Sequence, residues 1–204
     1  MQICLLNQTS VIQRLTRLVL AWGTVGLCYT LAGFTATTAT LLTQTAFDHK
    51  IPFNPNMMAW YVSFFIFIPA AFLAAPWLRV TQMGLAMQLS GVVAACVFVF
   101  YPTTVVAPII EQTGWQSSLL SIFRQYDSSK NCLPSLHAAL TLIAAWGLVG
   151  SFAQPKHLLK KALSLVWAGL IVYSIVAVRR HLVIDVAAGL ALGVCAILIA
   201  RKMK

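Results

Sequence analysis

Apolar residues gather into long runs at about 18–42, 57–75, 83–101, 136–153, 162–178 and 182–200. Each approaches the roughly 20 mostly apolar residues that a helix needs to cross the hydrocarbon core of a bilayer. The pattern predicts six membrane-spanning helices in a single domain, residues 1–204. The joins between runs are polar and hold turn formers. Phe47–Asn56 contains two prolines, Pro76–Gln82 includes Arg79, Gln154–Lys161 is basic, and Arg179–His181 is a tight turn.

The connection 102–135 is longer than the rest. Trp115, Leu119, Ile122, Phe123 and Tyr126 recur along it at helical spacing, with Gln116, Ser117, Arg124 and Gln125 between them. That alternation predicts an amphipathic helix lying in the interface plane, a re-entrant segment being the alternative. Arg14 and Arg17 precede the first run as the charged end of a secretory signal would. The run is longer than a signal core and no clear small-x-small cleavage site follows, so it reads as a retained first anchor.

Composition narrows the class further. The chain is 60% hydrophobic and 9% charged, with a mean hydropathy of +0.85. A soluble domain carries about 25% charged and about 45–50% apolar residues. A soluble enzyme, a disordered tail and a secreted disulfide scaffold are therefore poor fits. The fold class is all-α, a polytopic membrane protein of six transmembrane helices with an interfacial helix in the third loop.

A net charge of +10 would suggest a nucleic-acid partner in a soluble chain, but here it sorts by side. Six spans put Arg14, Arg17, Arg79, Lys156, Lys160, Lys161, Arg201, Lys202 and Lys204 on one face, without an acid. The other face holds Lys50, Arg124, Lys130, Arg179 and Arg180 together with Asp48, Glu111, Asp127 and Asp185. The positive-inside rule then places both termini in the cytoplasm and the long loop outside. The excess is a topology signal, and no nucleic-acid partner is expected.

Several features have plain readings. Cys4, Cys28, Cys96, Cys132 and Cys195 form no Cys-x-x-Cys pair and read as small packing residues. The threonine-rich stretch Thr35–Thr45 reads as back-bonding within its helix or packing against a neighbour. Gly189 and Gly193 permit close helix packing, within or between chains. Trp60, Tyr61, Trp77, Tyr101, Trp115 and Trp167 suit an interfacial belt.

Ionisable groups at membrane depth are functional candidates by default, and two clusters stand out. His181 and Asp185 are four residues apart, so a helix puts them on one face. The carboxylate can hold one imidazole nitrogen and leave the other as a nucleophile; an interfacial salt bridge is the bland alternative. Asn131-Cys132-Leu133-Pro134-Ser135-Leu136-His137 opens the fourth span. Pro134 suits the first turn of a helix, which would leave the amides of Ser135, Leu136 and His137 unpaired. Such amides beside the Ser135 hydroxyl make an anion site, with His137 as proton donor. An ordinary helix start with a snorkelling histidine is the alternative.

Pro-Ser-x-His followed by His-x-x-x-Asp in a six-span chain resembles the type 2 phosphatidic acid phosphatase superfamily. Its motifs are Pro-Ser-Gly-His and Ser-Arg, five residues, His, three residues, Asp. The resemblance implies that His181 attacks phosphorus, Asp185 orients it and His137 protonates the leaving group. Leu136 replaces the glycine, Ile175 follows Ser174 where the family has arginine, and the stretch Tyr101–Pro108 lacks the family's Lys, six residues, Arg-Pro. Pro-Ser-Leu-His is more similar to the branch containing inositol-phosphoryl transferases that act on ceramide, and many bacterial relatives. Arg179, two positions before the nucleophile, and Asp127 with Asn131 also match that branch.

A transferring phosphoryl group needs cationic donors. Arg179 is the first candidate, with Ser135 and Leu136 at the helix start; Arg180, Arg124 and Lys130 are secondary, as are Asp127 and Asn131. Arg180 has a headgroup anchor as its alternative, Arg124 and Lys130 a solvated or lipid-facing place.

The resemblance implies a lipid phosphate phosphatase working through phosphohistidine on the extracytoplasmic face, expected in a bacterial inner (plasma) membrane. Its partners are a lipid phosphate and membrane lipids, without cofactor or metal. A lipid phosphotransferase is the alternative, and a non-catalytic transport or assembly protein of the same fold is the rival from another class.

Overall fold

The computed structural model describes residues 10–35, 38–111, 113–128, 130–151 and 157–203. Residues 152–153 of the expected fourth span, Cys4, Lys156 and Lys204 lie outside them. The helices are α1 (Val11–Thr35), α2 (Ala46–Lys50), α3 (Met58–Ala74), α4 (Trp77–Phe100), α5 (Trp115–Tyr126), α6 (Leu136–Ser151), α7 (Leu158–Ala177) and α8 (Val183–Lys202). Two short strands, β1 (Thr40–Leu41) and β2 (Thr103–Thr104), pair in parallel.

Among the described residues, five helices are long and apolar enough to cross a membrane: α1, α3, α4, α7 and α8. The chain is an all-helical integral membrane protein. The remaining expected span corresponds to α6, which is apolar but has 16 residues. The expected helix in the long connection forms as α5, Trp115–Tyr126.

α1 differs from its expected bounds, running from Val11 to Thr35 instead of from 18 to 42. Its early start is possible because Arg14 has partners. The Arg14 Nη1 donates to the carbonyls of Phe72, Leu73 and Ala75 at 3.0, 3.3 and 2.6 Å. These carbonyls end α3 and lack a helical partner of their own. Its early end follows from Thr40 and Leu41 taking extended backbone, which β-branched residues favour. The Thr40 amide donates to Pro102 and the Leu42 amide to Thr104, both at 2.9 Å. From Thr38 to Thr45 the threonine stretch lies outside the helix, against the expected back-bonding within it, and residues 36–37 lie outside the described residues. α4 absorbs the expected loop at 76–82, and Arg79 lies 3.9 Å from the Trp146 ring centre.

α6 is the central helix, packed on α3, α4, α7 and α8. Phe67, Ile68, Phe72, Met83, Met87, Phe98, Ile143 and Ile171 fill the core between helices. The outer faces are apolar too, with Leu20, Leu27, Leu31, Ile66, Leu78, Leu163, Val166 and Leu198 exposed. Helices that are hydrophobic all round suit hydrocarbon. Gly189 and Gly193 bring α8 against α6 within the chain. A Cβ at Gly189 would run into the Ser135 carbonyl, and one at Gly193 would stand 3.0 Å from the Ala139 oxygen.

Candidate active site

One end of the bundle collects Asp48, Asp127, Arg179, Arg180, His181 and Asp185, together with the start of α6. α7 ends at Ala177, and Arg179 turns the chain with a left-handed φ of 55°. Leu182 is extended and precedes the first turn of α8. The Asp185 Oδ2 accepts the Leu182 amide at 2.8 Å. His181 Nδ1 is 3.6 Å from the same oxygen, beyond an ordinary hydrogen bond. Catalytic contacts of this kind are often long until substrate binds. His181 Nδ1 and Asp185 Oδ1 are both buried with no other partner. The two residues do meet, but His181 precedes α8 and is not on a shared helix face as expected, the turn before Leu182 bringing it to Asp185.

The start of α6 meets this pair directly. The Ser135 amide donates to the Asp185 carbonyl at 3.0 Å. The Ser135 Oγ accepts the Ala138 amide at 3.4 Å and so caps α6. Two expectations change here. Pro134 lies before the capping residue, not in the first turn. The Ser135 amide, read as an anion donor, is engaged in structure, whereas its hydroxyl only accepts and keeps its proton for donation, beside the amides of Leu136 and His137. Leu136 itself is buried in the hydrophobic core.

The His137 ring packs against both Tyr61 and Phe64 of α3, each ring centroid 4.8 Å from its own. Its centroid is 6.1 Å from that of His181. His137 also lines a cavity of about 380 Å³ whose other walls include Trp22, Phe64, Phe65, Ile122, Leu136 and Leu140, with Tyr29 and Asp127 supplying polar groups.

The cations divide unequally. Arg179 is buried, and its Nη2 donates to the carbonyls of Asp48 and Ile51 at 2.8 and 2.6 Å. Its Nη1 is buried without a partner. Arg180 pairs with the Asp127 carboxylate, whose other oxygen accepts the Tyr29 hydroxyl at 2.6 Å. Burial pushes the Asp127 carboxyl up, but Arg180 and the Tyr29 hydroxyl hold it below the usual carboxylate range. Burial likewise opposes the charge on Arg180, yet Asp127 raises its pKa above the ordinary value. The headgroup-anchor reading of Arg180 gives way to this internal ion pair.

Arg124 is half-buried, not solvated; its Nη1 donates to the Pro108 carbonyl at 2.7 Å, and burial lowers its pKa. Lys130 offers its carbonyl to the Thr103 amide at 3.1 Å. Asn131 is buried, with Nδ2 on the Tyr29 carbonyl at 3.1 Å. Burial, reinforced by Asp185, pushes the Cys132 thiol up to about 12. Among the described residues no group of three or more His, Cys, Asp or Glu is arranged to hold a metal ion.

Asp48 is the residue that sequence reading assigned to a polar loop and nothing more. It is fully buried. Its Oδ2 accepts the Thr45 amide and hydroxyl at 2.7 and 2.6 Å, and its Oδ1 accepts the Val183 amide at 2.8 Å. Burial raises its pKa, but these hydrogen bonds and Arg179 lower it by more, so the carboxyl lies below the usual range. The available signal was Thr45-x-x-Asp48, a capping-box spacing. Tyr61 had no signal beyond interfacial aromaticity, and Tyr29 had none.

No curated protein matches the chain in sequence. A family described as the PAP2 superfamily matches it over residues 77–204, which include both histidine motifs.

Proposed function

Because the chain belongs to the PAP2 superfamily, we propose that it is a lipid phosphate phosphatase acting through a phosphohistidine at the extracytoplasmic face. In this reading α6 is the fourth of six spans, α5 lies at the interface and both termini are cytoplasmic. The observation that carries it is the position of His137. Its ring faces His181 across 6.1 Å and also lines the apolar cavity. A phosphoryl group between the two rings would have its lipid chain in that cavity and its leaving oxygen beside His137.

The chemistry runs in two displacements. Asp185 holds the His181 Nδ1 proton, so Nε2 attacks phosphorus and the bond to the lipid oxygen breaks. His137 gives its proton to that oxygen, and the lipid alcohol departs. Water then attacks the phosphohistidine while His137 takes its proton, breaking the phosphorus–nitrogen bond. Arg179 through Nη1, Arg180 and the amides of Leu136 and His137 offset the charge on the equatorial oxygens. The Ser135 hydroxyl, whose oxygen caps α6, donates to the same oxygens, and Asp127 acts through Arg180.

One observation favours a second reading, a phosphotransferase like those of the Pro-Ser-Leu-His branch. A second cavity of about 420 Å³ shares Tyr29, Thr30 and Asp127 with the apolar one and is lined by Arg124, Gln125, Ser128 and Lys130. Polar walls there suit an acceptor carrying hydroxyls.

Purified protein incubated with phosphate-labelled lipid, with and without lipid acceptors, separates the readings. Release of free phosphate supports hydrolysis, and a new labelled lipid supports transfer. Both require a labelled adduct that disappears in His181→Ala. Undiminished turnover in His181→Ala and His137→Ala overturns the mechanism. Absence of adduct and turnover across a panel of lipid phosphates favours the non-catalytic rival.

A further inference from the structure

α8 begins without a cap of its own. Its first amides have no partner within the helix, and the residue at the capping position is Leu182, which has no side-chain acceptor. Two carboxylates take over. Asp185, one turn in, reaches back to the Leu182 amide. Asp48 reaches across from the short helix α2, 135 residues away, and accepts the Val183 amide at 2.8 Å.

The division of labour matters because Asp185 has a second task. Its Oδ1 has no partner, and its Oδ2 is 3.6 Å from His181 Nδ1. Without Asp48, the partly buried Val183 amide would lose its acceptor, a costly state where water cannot replace it. Asp185 is then the neighbouring carboxylate with spare acceptor capacity. Turning to that amide would draw it from His181. The positive end of α8 supports two carboxylates at one place, and Arg179 adds a compensating charge while donating to the Asp48 and Ile51 carbonyls.

We infer that Asp48 is a positioning residue for the His181–Asp185 pair, acting by capping the Val183 amide so that Asp185 stays directed at the histidine. The inference rests on the phosphohistidine reading for its effect on rate, but its structural content does not.

A double-substitution cycle tests it. Val183→Pro removes the donated amide and keeps the helix, since proline is tolerated at a first helical position. Leu182, with φ −94° and ψ 168°, already has the extended backbone that a residue before proline needs. Asp48→Ala is expected to slow adduct formation on His181 by about 100-fold, the order expected for a misplaced reacting group, with little change in KM. Val183→Pro leaves no amide to draw Asp185 away, so alone it should slow the step little and in the double variant it should restore most of the rate lost in Asp48→Ala. Asp48→Asn should keep most of the rate because its amide oxygen still accepts. Losses that multiply in the double variant overturn the inference, since independent structural damage is additive in free energy.

Two readouts need no turnover. In Asp48→Ala, hydrogen exchange at the Val183 amide and modification of His181 by diethyl pyrocarbonate should both accelerate. If neither changes, the inference fails even where the enzyme is active. If both change while wild-type protein forms no adduct with any lipid phosphate, the phosphatase reading fails and the positioning role stands. Should Asp48→Ala not fold alone, the double variant is compared with Val183→Pro: equal rates and equal His181 modification are expected, and a double variant far slower than Val183→Pro overturns the inference.

Discussion

Arg180, Asp127 and Tyr29 form a chain of interactions beside the two histidines, and its energetics are set by burial. The Arg180 and Asp127 side chains retain only 11% and 19% of their exposure. Removing one member leaves the other charge poorly solvated, so Asp127→Ala is expected to destabilise the protein by about 3 kcal/mol, read by thermal unfolding in detergent. Asp127→Asn tests the pH dependence. The folded carboxyl titrates below its unfolded value of about 3.9, so its stabilisation is fully present above that value. It is lost as the pH falls through the lower folded pKa. The stability gap between wild type and Asp127→Asn should therefore be constant at neutral pH and close on acidification below about 4. At this scale the His181–Asp185 relation was legible as a short spacing, but its geometry was not, since His181 precedes α8 and meets Asp185 through a turn and not on a helix face. The partners of Arg179 were not, since they are carbonyls of α2 reached through a left-handed turn.

Helix α6 and helix α8 are held close by two glycines, and the approach sets the distance between His137 and His181. At Gly189 a methyl group would collide with backbone at Ser135, which is the residue that caps α6 and donates to Asp185. Gly189→Ala should cost about 1–3 kcal/mol, as overpacking usually does, and lower activity by a larger factor than Gly193→Ala. Gly169 has open space around it, so Gly169→Ala should leave melting temperature and activity unchanged. The sequence shows the Gly-x-x-x-Gly spacing but not which helix it faces. The bounds of α1 depended likewise on partners elsewhere: Arg14 on the end of α3, and Thr40 on Pro102.

Across the whole molecule, the described charges divide between the two ends of the bundle. Asp48, Asp127, Arg179, Arg180 and Asp185 meet at one end, while Arg14 contacts the end of α3, and Arg79 and Arg201 are neighbours at the start of α4. If α6 spans and both termini are cytoplasmic, Glu111→Cys should react with a membrane-impermeant thiol reagent in intact cells, and Lys160→Cys only after permeabilisation. The reverse pattern inverts the topology; equal reactivity at both positions removes a span between them. By itself the sequence determined the all-helical membrane class, the amphipathic helix Trp115–Tyr126 and the two histidine motifs. These follow from composition and short-range periodicity, which a single segment carries alone. The tertiary structure decided which groups satisfy one another: Ser135 on Asp185, Arg180 on Asp127, and Asp48 on the start of α8. Those pairings join residues far apart in the chain, and no local pattern specifies a partner that only packing brings within 3 Å.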